Sequence, residues 1–181
     1  MKYDPSRHHR QSYRFQRHDY SSAAAYYVTL VTKNRLCLFG SVVGDEVVFS
    51  DLGKIADEFF RAIPQHFQYA SIDIHQVMPN HVHAVIVIAD TVGATHWVAP
   101  TRIAPKGYPR GPQCGSIGAM LGSYKMAVTR QAIARFELRD VWQRNYHDHI
   151  IRTDQEWQII RNYIQSNPSQ WLSDEEYQTL P

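Results

Sequence analysis

The sequence predicts an α+β fold: a two-layer, ferredoxin-like sandwich in β-α-β-β-α-β order, with helices on one face of a mostly antiparallel sheet. Three observations carry this. Apolar residues recur at helical spacing between positions 52 and 63 and again between 115 and 136, and each stretch follows a strand-like run. Two strand-like runs, 71–77 and 81–88, are separated only by Met78-Pro79-Asn80, a connection too short for anything but an antiparallel pair. At 181 residues, 44% hydrophobic and 12% aromatic, the chain is long enough for one domain with a sizeable core.

Taken in order, residues 1–19 form a basic tail. Lys2, Arg7, Arg10, Arg14 and Arg17 face only Asp4 and Asp19, with Tyr3, Tyr13 and Phe15 interleaved. Cations with aromatics suit a segment that follows phosphates and stacks on bases, and equally suit a solvated terminus. Tyr26-Tyr27-Val28-Thr29-Leu30-Val31-Thr32 is the first strand, and a hairpin turning at Gly44-Asp45 follows. Leu52, Ile55, Ala56, Phe59 and Ile63 make an amphipathic helix that Pro64 closes. The strand with Ile72 and Ile74 then turns through Pro79-Asn80 into His81-Val82-His83-Ala84-Val85-Ile86-Val87-Ile88, whose β-branched run reads as a buried strand.

A loop rich in Pro, Gly, Thr and Arg fills positions 90–115, and the helix after it turns Ile117, Met120, Leu121, Tyr124 and Val128 to the core. Lys125 and Arg130 lie on that helix, and positions 102–152 hold nine Lys/Arg against three acids. A short strand with its approach loop occupies 142–152. Thr153-Asp154-Gln155-Glu156 is a capping box that starts a helix packed through Trp157, Ile160 and Ile164. Tyr163 and Asn167 fall on the flank of that stripe one turn apart, with Asn167 at a frayed last position before Pro168. Residues 173–181 form an acidic tail.

Side chains alternate along a strand, so His81 and His83 point the same way and can converge on one metal ion. Taken alone, such a pair is more often two surface histidines on an edge strand, and a tyrosine placed like Tyr163 is most often a core-edge residue. Cys37 and Cys114 match no zinc spacing and read as reduced thiols. Net charge is only +2, so DNA binding is suggested by where the charge sits and not by its total. No run of about 18 apolar residues and no signal-peptide core is present, which predicts a cytoplasmic protein with no membrane partner.

Together these residues resemble a known group. Pro79-Asn80-His81-Val82-His83 resembles the HUH motif (His, hydrophobic residue, His) of single-tyrosine endonucleases and insertion-sequence-type transposases. Arg161-Asn162-Tyr163-Ile164-Gln165-Ser166-Asn167-Pro168 resembles the nucleophile helix of REP-associated tyrosine transposases. Trp142-Gln143 leading to His149-Ile150-Ile151-Arg152, the Thr-Lys-Asn-Arg end of the first strand, and Gly122-Ser123-Tyr124-Lys125 with Val128-Thr129-Arg130 are similar to the same group. The resemblance spans about 20–171, so the transposase domain is set at 20–172.

The resemblance implies a DNA transposase or endonuclease that cuts and rejoins single-stranded, hairpin-containing DNA through a 5′-phosphotyrosine intermediate. Tyr163 would be the nucleophile. His81, His83 and Asn167, the residue one turn after the tyrosine, would hold Mg²⁺ or Mn²⁺, with His149 in a supporting role. Arg7, Arg10, Arg14, Arg17, Lys125, Arg130 and Arg152 are the expected DNA contacts. A phenol ionises near pH 10, so the nucleophile needs help to lose its proton. Activity is expected to fall below about pH 6, where an ordinary histidine with pKa near 6.5 protonates and cannot ligate. Two alternatives stay open: a non-catalytic hairpin-DNA-binding regulator, and an unrelated metal-dependent hydrolase using the two histidines. Monomer and homodimer are both compatible with the sequence.

Overall fold

The computed structural model describes residues 23–89, 115–174 and 176–177. Arg7, Arg10, Arg14, Arg17 and Cys114 lie outside the described residues. The first strand, Ala24–Val31 (β1), is followed by a small hairpin of Gly40–Val43 (β2) and Glu46–Phe49 (β3). Gly44 makes its turn at φ +62°, a left-handed conformation that side chains with a Cβ rarely adopt. Helix Asp51–Arg61 (α1) is capped by the Ser50 hydroxyl, which accepts from Gly53 N at 3.0 Å. A Cβ on Gly53 would sit 1.9 Å from the Phe39 carbonyl oxygen, so glycine permits the close approach of α1 to the chain before β2. A short turn of helix, Ile63–His66 (α2), leads to Ala70–Val77 (β4) and His81–Ile88 (β5). Helix Ile117–Phe136 (α3), strand His147–Ile151 (β6) and helix Asp154–Ser166 (α4) complete the order.

The main sheet runs β4-β5-β1-β6, and every pairing in it is antiparallel. That order, with α1 and α3 as crossovers, is the ferredoxin-like α+β arrangement the sequence predicted. Tyr26, Val28 and Leu30 of β1 and Val82, Ala84 and Ile86 of β5 point to one face, where they form the core with α1 and α3. Ala25 and Val85 point the other way, and there Ile164, Trp157, Ile160 and Tyr163 of α4 cover them. The expectation of helices on a single face therefore holds for α1 and α3 but not for α4. The reason is β5 itself: seven of its eight residues are buried, so both its faces need an apolar cover.

Two local details complete the fold. Strand β6 begins at His147, and Trp142 makes only an isolated bridge to Thr32. The capping box is half formed. The Thr153 hydroxyl accepts from Glu156 N (3.2 Å), but the Glu156 carboxylate accepts instead from Arg152 N (2.8 Å) and bonds His149 Nε2 (2.6 Å). Among the described residues, no helix is long and apolar enough to cross a membrane.

Candidate active site

Strand alternation puts His81 and His83 on the α4 side of the sheet, with ring centroids 4.3 Å apart. Opposite them on β1, by register, stand Val31 and Thr29. Both rings are buried, His81 fully and His83 to 3% exposure.

The proton on His81 can be placed from its neighbours. The Asn80 amide nitrogen donates to the carbonyl oxygens of Arg35 (3.2 Å) and Glu176 (2.7 Å), which can only accept. Its oxygen therefore faces His81 Nδ1 at 2.8 Å and takes the proton from that nitrogen. The lone pair then lies on His81 Nε2, which is buried and has no hydrogen-bond partner among the described residues. His83 Nδ1 lies 2.9 Å from the Tyr27 hydroxyl and 3.0 Å from Thr29 Oγ1, two oxygens able to accept its proton. That tautomer leaves His83 Nε2 with its lone pair free for a ligand, as outer partners commonly arrange for metal-binding imidazoles.

Tyr163 reaches this pair from α4. Its hydroxyl is 3.3 Å from His83 Nε2 and donates to Asp174 Oδ2 at 2.9 Å. A β-bulge in β4 sets the approach: between Ile72 and Ile74 the register slips, and Asp73 is the extra residue. The Asp73 carboxylate accepts from Trp157 Nε1 (2.9 Å) and from the Arg161 guanidinium (3.0 Å), so it pins α4 to the sheet on either side of one helical turn. Asn167 is the C-cap of α4 and fully buried, where the sequence led us to expect a frayed end. Its Nδ2 donates to Asp174 Oδ2 (2.5 Å), while its Oδ1 is buried without a hydrogen-bond partner among the described residues.

Asp174 comes from a turn of 3₁₀ helix and coil after α4. Trp171 leads it in, its ring 5.9 Å from that of His81, and Glu176 N–H donates to Asp174 Oδ1 (2.8 Å). Burial opposes ionisation of Asp174, but hydrogen bonds from Asn167, Glu176 N–H and Tyr163 outweigh it and hold the carboxyl below its ordinary range. Burial pushes His81 down to about pKa 4 against the pull of Asp174, and burial with the adjacent His81 holds His83 well below 6.5. Both imidazoles are thus neutral at pH 7, the form that binds metals.

One ligand atom from each of His81, His83 and Asp174 lies within 4.8 Å of the others. Two orphaned buried acceptors, His81 Nε2 and Asn167 Oδ1, belong to the same cluster. An unpaired buried polar atom costs about 1–3 kcal/mol, so the cluster fits a divalent cation with mixed nitrogen and oxygen ligands.

The other sequence candidates lie apart. Lys125 and Arg130 are on α3, across the sheet, where Lys125 Nζ donates to the carbonyl oxygens of Gln143 (2.5 Å) and Asn145 (3.2 Å). His149 pairs with Tyr27 across β1 and β6 and bonds Glu156 at the start of α4, beside Arg152. Sequence reasoning did not single out Asn80, Tyr27, Thr29 or Asp174. The alternation of Tyr27 and Thr29 toward the face of His83 was a usable signal. Asp174 was marked only by the apolar pair Trp171-Leu172 after the helix stop, in a segment otherwise read as acidic tail.

No family model matches the chain. An uncharacterized protein of Haemophilus influenzae is 35% identical over 176 residues, covering 97% of both chains. Among solved structures, a REP-associated tyrosine transposase bound to a REP hairpin superposes with a TM-score of 0.58 at 15% identity, over 87% of this chain and 74% of the other. The chain thus belongs to one family with the Haemophilus influenzae protein, and its fold is that of the REP-associated tyrosine transposases.

Proposed function

We propose that the protein is a transposase-type enzyme that cleaves and rejoins single-stranded DNA beside a hairpin, with Tyr163 as nucleophile. One observation carries the reading most: the Tyr163 hydroxyl lies 3.3 Å from an imidazole whose neighbour, His81, holds a buried, unpartnered lone pair. An unrelated hydrolase would have no use for a phenol at that place. The structural neighbour's bound REP hairpin supports hairpin DNA as the partner.

In this reading the Tyr163 oxygen attacks phosphorus while its proton passes to the Asp174 carboxylate, to which it is already hydrogen-bonded. The new bond joins the phenol oxygen to phosphorus, and the bond to the 3′ oxygen breaks. That oxygen leaves as a 3′-hydroxyl, taking up the proton that Asp174 received, and its return on another strand reverses the step with no loss of phosphoester bonds. Asn80 sets the His81 proton, and Tyr27 and Thr29 can accept that of His83, an arrangement in which both lone pairs face inward. His81, His83 and Asp174, with Asn167 Oδ1 adjacent, would hold Mg²⁺ or Mn²⁺, which when bound supplies charge neutralisation at the scissile phosphate.

Incubating the protein with labelled hairpin DNA and Mn²⁺ should give a covalent adduct that survives denaturation. Tyr163→Phe keeps the ring and should abolish the adduct with little change in melting temperature. Adduct formation at the wild-type rate in that variant overturns the assignment.

A further inference from the structure

Across the sheet from α4, the outer flank of α3 and the segment 139–144 enclose an open groove of about 470 Å³. Four cations line it, Lys125, Arg130, Arg139 and Arg144, against one acid, Asp140. None of the three arginines makes an ion pair among the described residues. Lys125 is different: its ammonium group donates to the Gln143 and Asn145 carbonyl oxygens and lies 5.8 Å from the centre of the Trp142 ring, so it braces the groove wall. The apolar part of the lining is exposed. Met126 is 62% exposed and Ile133 44%, two turns apart on one face of α3.

This pairing of chemistries selects an occupant. Unpaired nucleotides offer both phosphates for the arginines and uncovered base faces that can bury the aliphatic surface of Met126 and Ile133. A duplex keeps its base faces stacked inside and would leave the apolar residues in water. A second copy of the chain would set arginines against arginines. The groove lies on the opposite face of the sheet from the candidate site but meets the same end of it. Trp142 bridges Thr32, and Gln143 N–H donates to the Val31 carbonyl (2.9 Å), while Val31 is the strand partner of His81. The groove wall and the histidine pair therefore share one end of the sheet.

We propose that this groove holds the unpaired nucleotides that adjoin the hairpin, an inference that rests on the reading above and names the strand the protein grips. Arg130, Arg139 and Arg144 take the phosphates, and the Met126–Ile133 strip takes the bases.

The test compares two DNA substrates, a hairpin with a single-stranded flank and the same hairpin without one, against wild type and the triple variant Arg130→Gln, Arg139→Gln, Arg144→Gln. For the flanked hairpin, affinity should fall at least ten-fold and the slope of log K against log[salt] should flatten by about 2, at roughly 0.7 per lost contact. The bare hairpin should lose much less. Equal loss on both substrates would assign the groove to the stem, and unchanged binding of the flanked hairpin would remove it as a DNA site; either overturns the proposal. Should the triple variant fail to fold, Met126→Glu, at an exposed position, must by itself weaken the flanked hairpin, and its failure to do so is equally decisive. Adduct formation by wild-type protein is read in the same samples. An adduct with no groove effect rejects the groove alone, while a groove effect without an adduct rejects the catalytic reading alone.

Discussion

Asn80 does more for the candidate site than its position before the histidines suggests. Its amide is oriented by two carbonyl oxygens from distant parts of the chain and so dictates which nitrogen of His81 carries the proton. Asn80→Ala should weaken Mn²⁺ binding about 10- to 100-fold, the usual effect of losing a partner behind a metal-binding imidazole. It should also lower folding stability by about 1–3 kcal/mol, because the two carbonyls lose their donor. Calorimetric titration with Mn²⁺ and denaturant unfolding measure the two effects, and an unchanged metal affinity would show that Asn80 does not set the tautomer. Burial also changes the expected acid sensitivity. His81 has a folded-state pKa of about 4 against about 6.5 unfolded, so the unfolded chain binds more protons between these values. The contribution of neutral His81 is complete above about pH 6.5 and is lost as pH falls toward 4, a window worth roughly 3 kcal/mol at 1.36 kcal/mol per unit. Metal-free protein should thus lose stability progressively from pH 6.5 to 4 in unfolding curves, and His81→Gln should flatten that dependence. Competence to bind metal should reach below pH 6, further into acid than an exposed histidine pair would allow.

Element by element, what the sequence made legible was what has a period or a stop signal. The spacing of Leu52, Ile55 and Ala56 revealed α1, Met78–Asn80 revealed the β4–β5 turn, and the Thr153 cap revealed α4. The bulge at Asp73 was not legible, since one extra residue in a strand leaves no mark in an alternating pattern already blurred by Gln76. Nor was the face chosen by α4, because a helix with one apolar stripe fits either side of a sheet buried on both. Yet the bulge is what aims α4 and, with it, Tyr163. Asp73→Ala removes the acceptor for both Trp157 Nε1 and Arg161. It should cost about 1–3 kcal/mol for the stranded indole N–H, and it should slow adduct formation by more than ten-fold, since a shift near 1 Å at reacting atoms can cost about 100-fold. Equal rates for the variant and wild type would mean α4 docks through its apolar stripe alone.

Over the whole molecule, the candidate site is assembled from four stretches that are far apart in sequence: Tyr27 and Thr29, Asn80 to His83, Tyr163 to Asn167, and Trp171 to Glu176. The histidine and tyrosine stretches were readable as motifs because their residue types are chemically distinctive. The last stretch was not, since one aspartate among several acids carries no such mark until Trp171 is seen seated against His81. Removing residues 171–181 should therefore leave the four-stranded sheet folded by circular dichroism while opening the histidine pair. His81 should become reactive toward diethyl pyrocarbonate in the truncated protein and stay protected in the full chain. Protection in both forms would mean that Trp171 and Asp174 do not close the site. The order of these stretches also has a meaning in time. On a ribosome, β5 with both histidines emerges long before Asp174, so the growing chain can fold its sheet yet cannot complete the cluster until residues 171–176 have followed. A protein whose reading is to cut DNA would then stay harmless for most of its own synthesis.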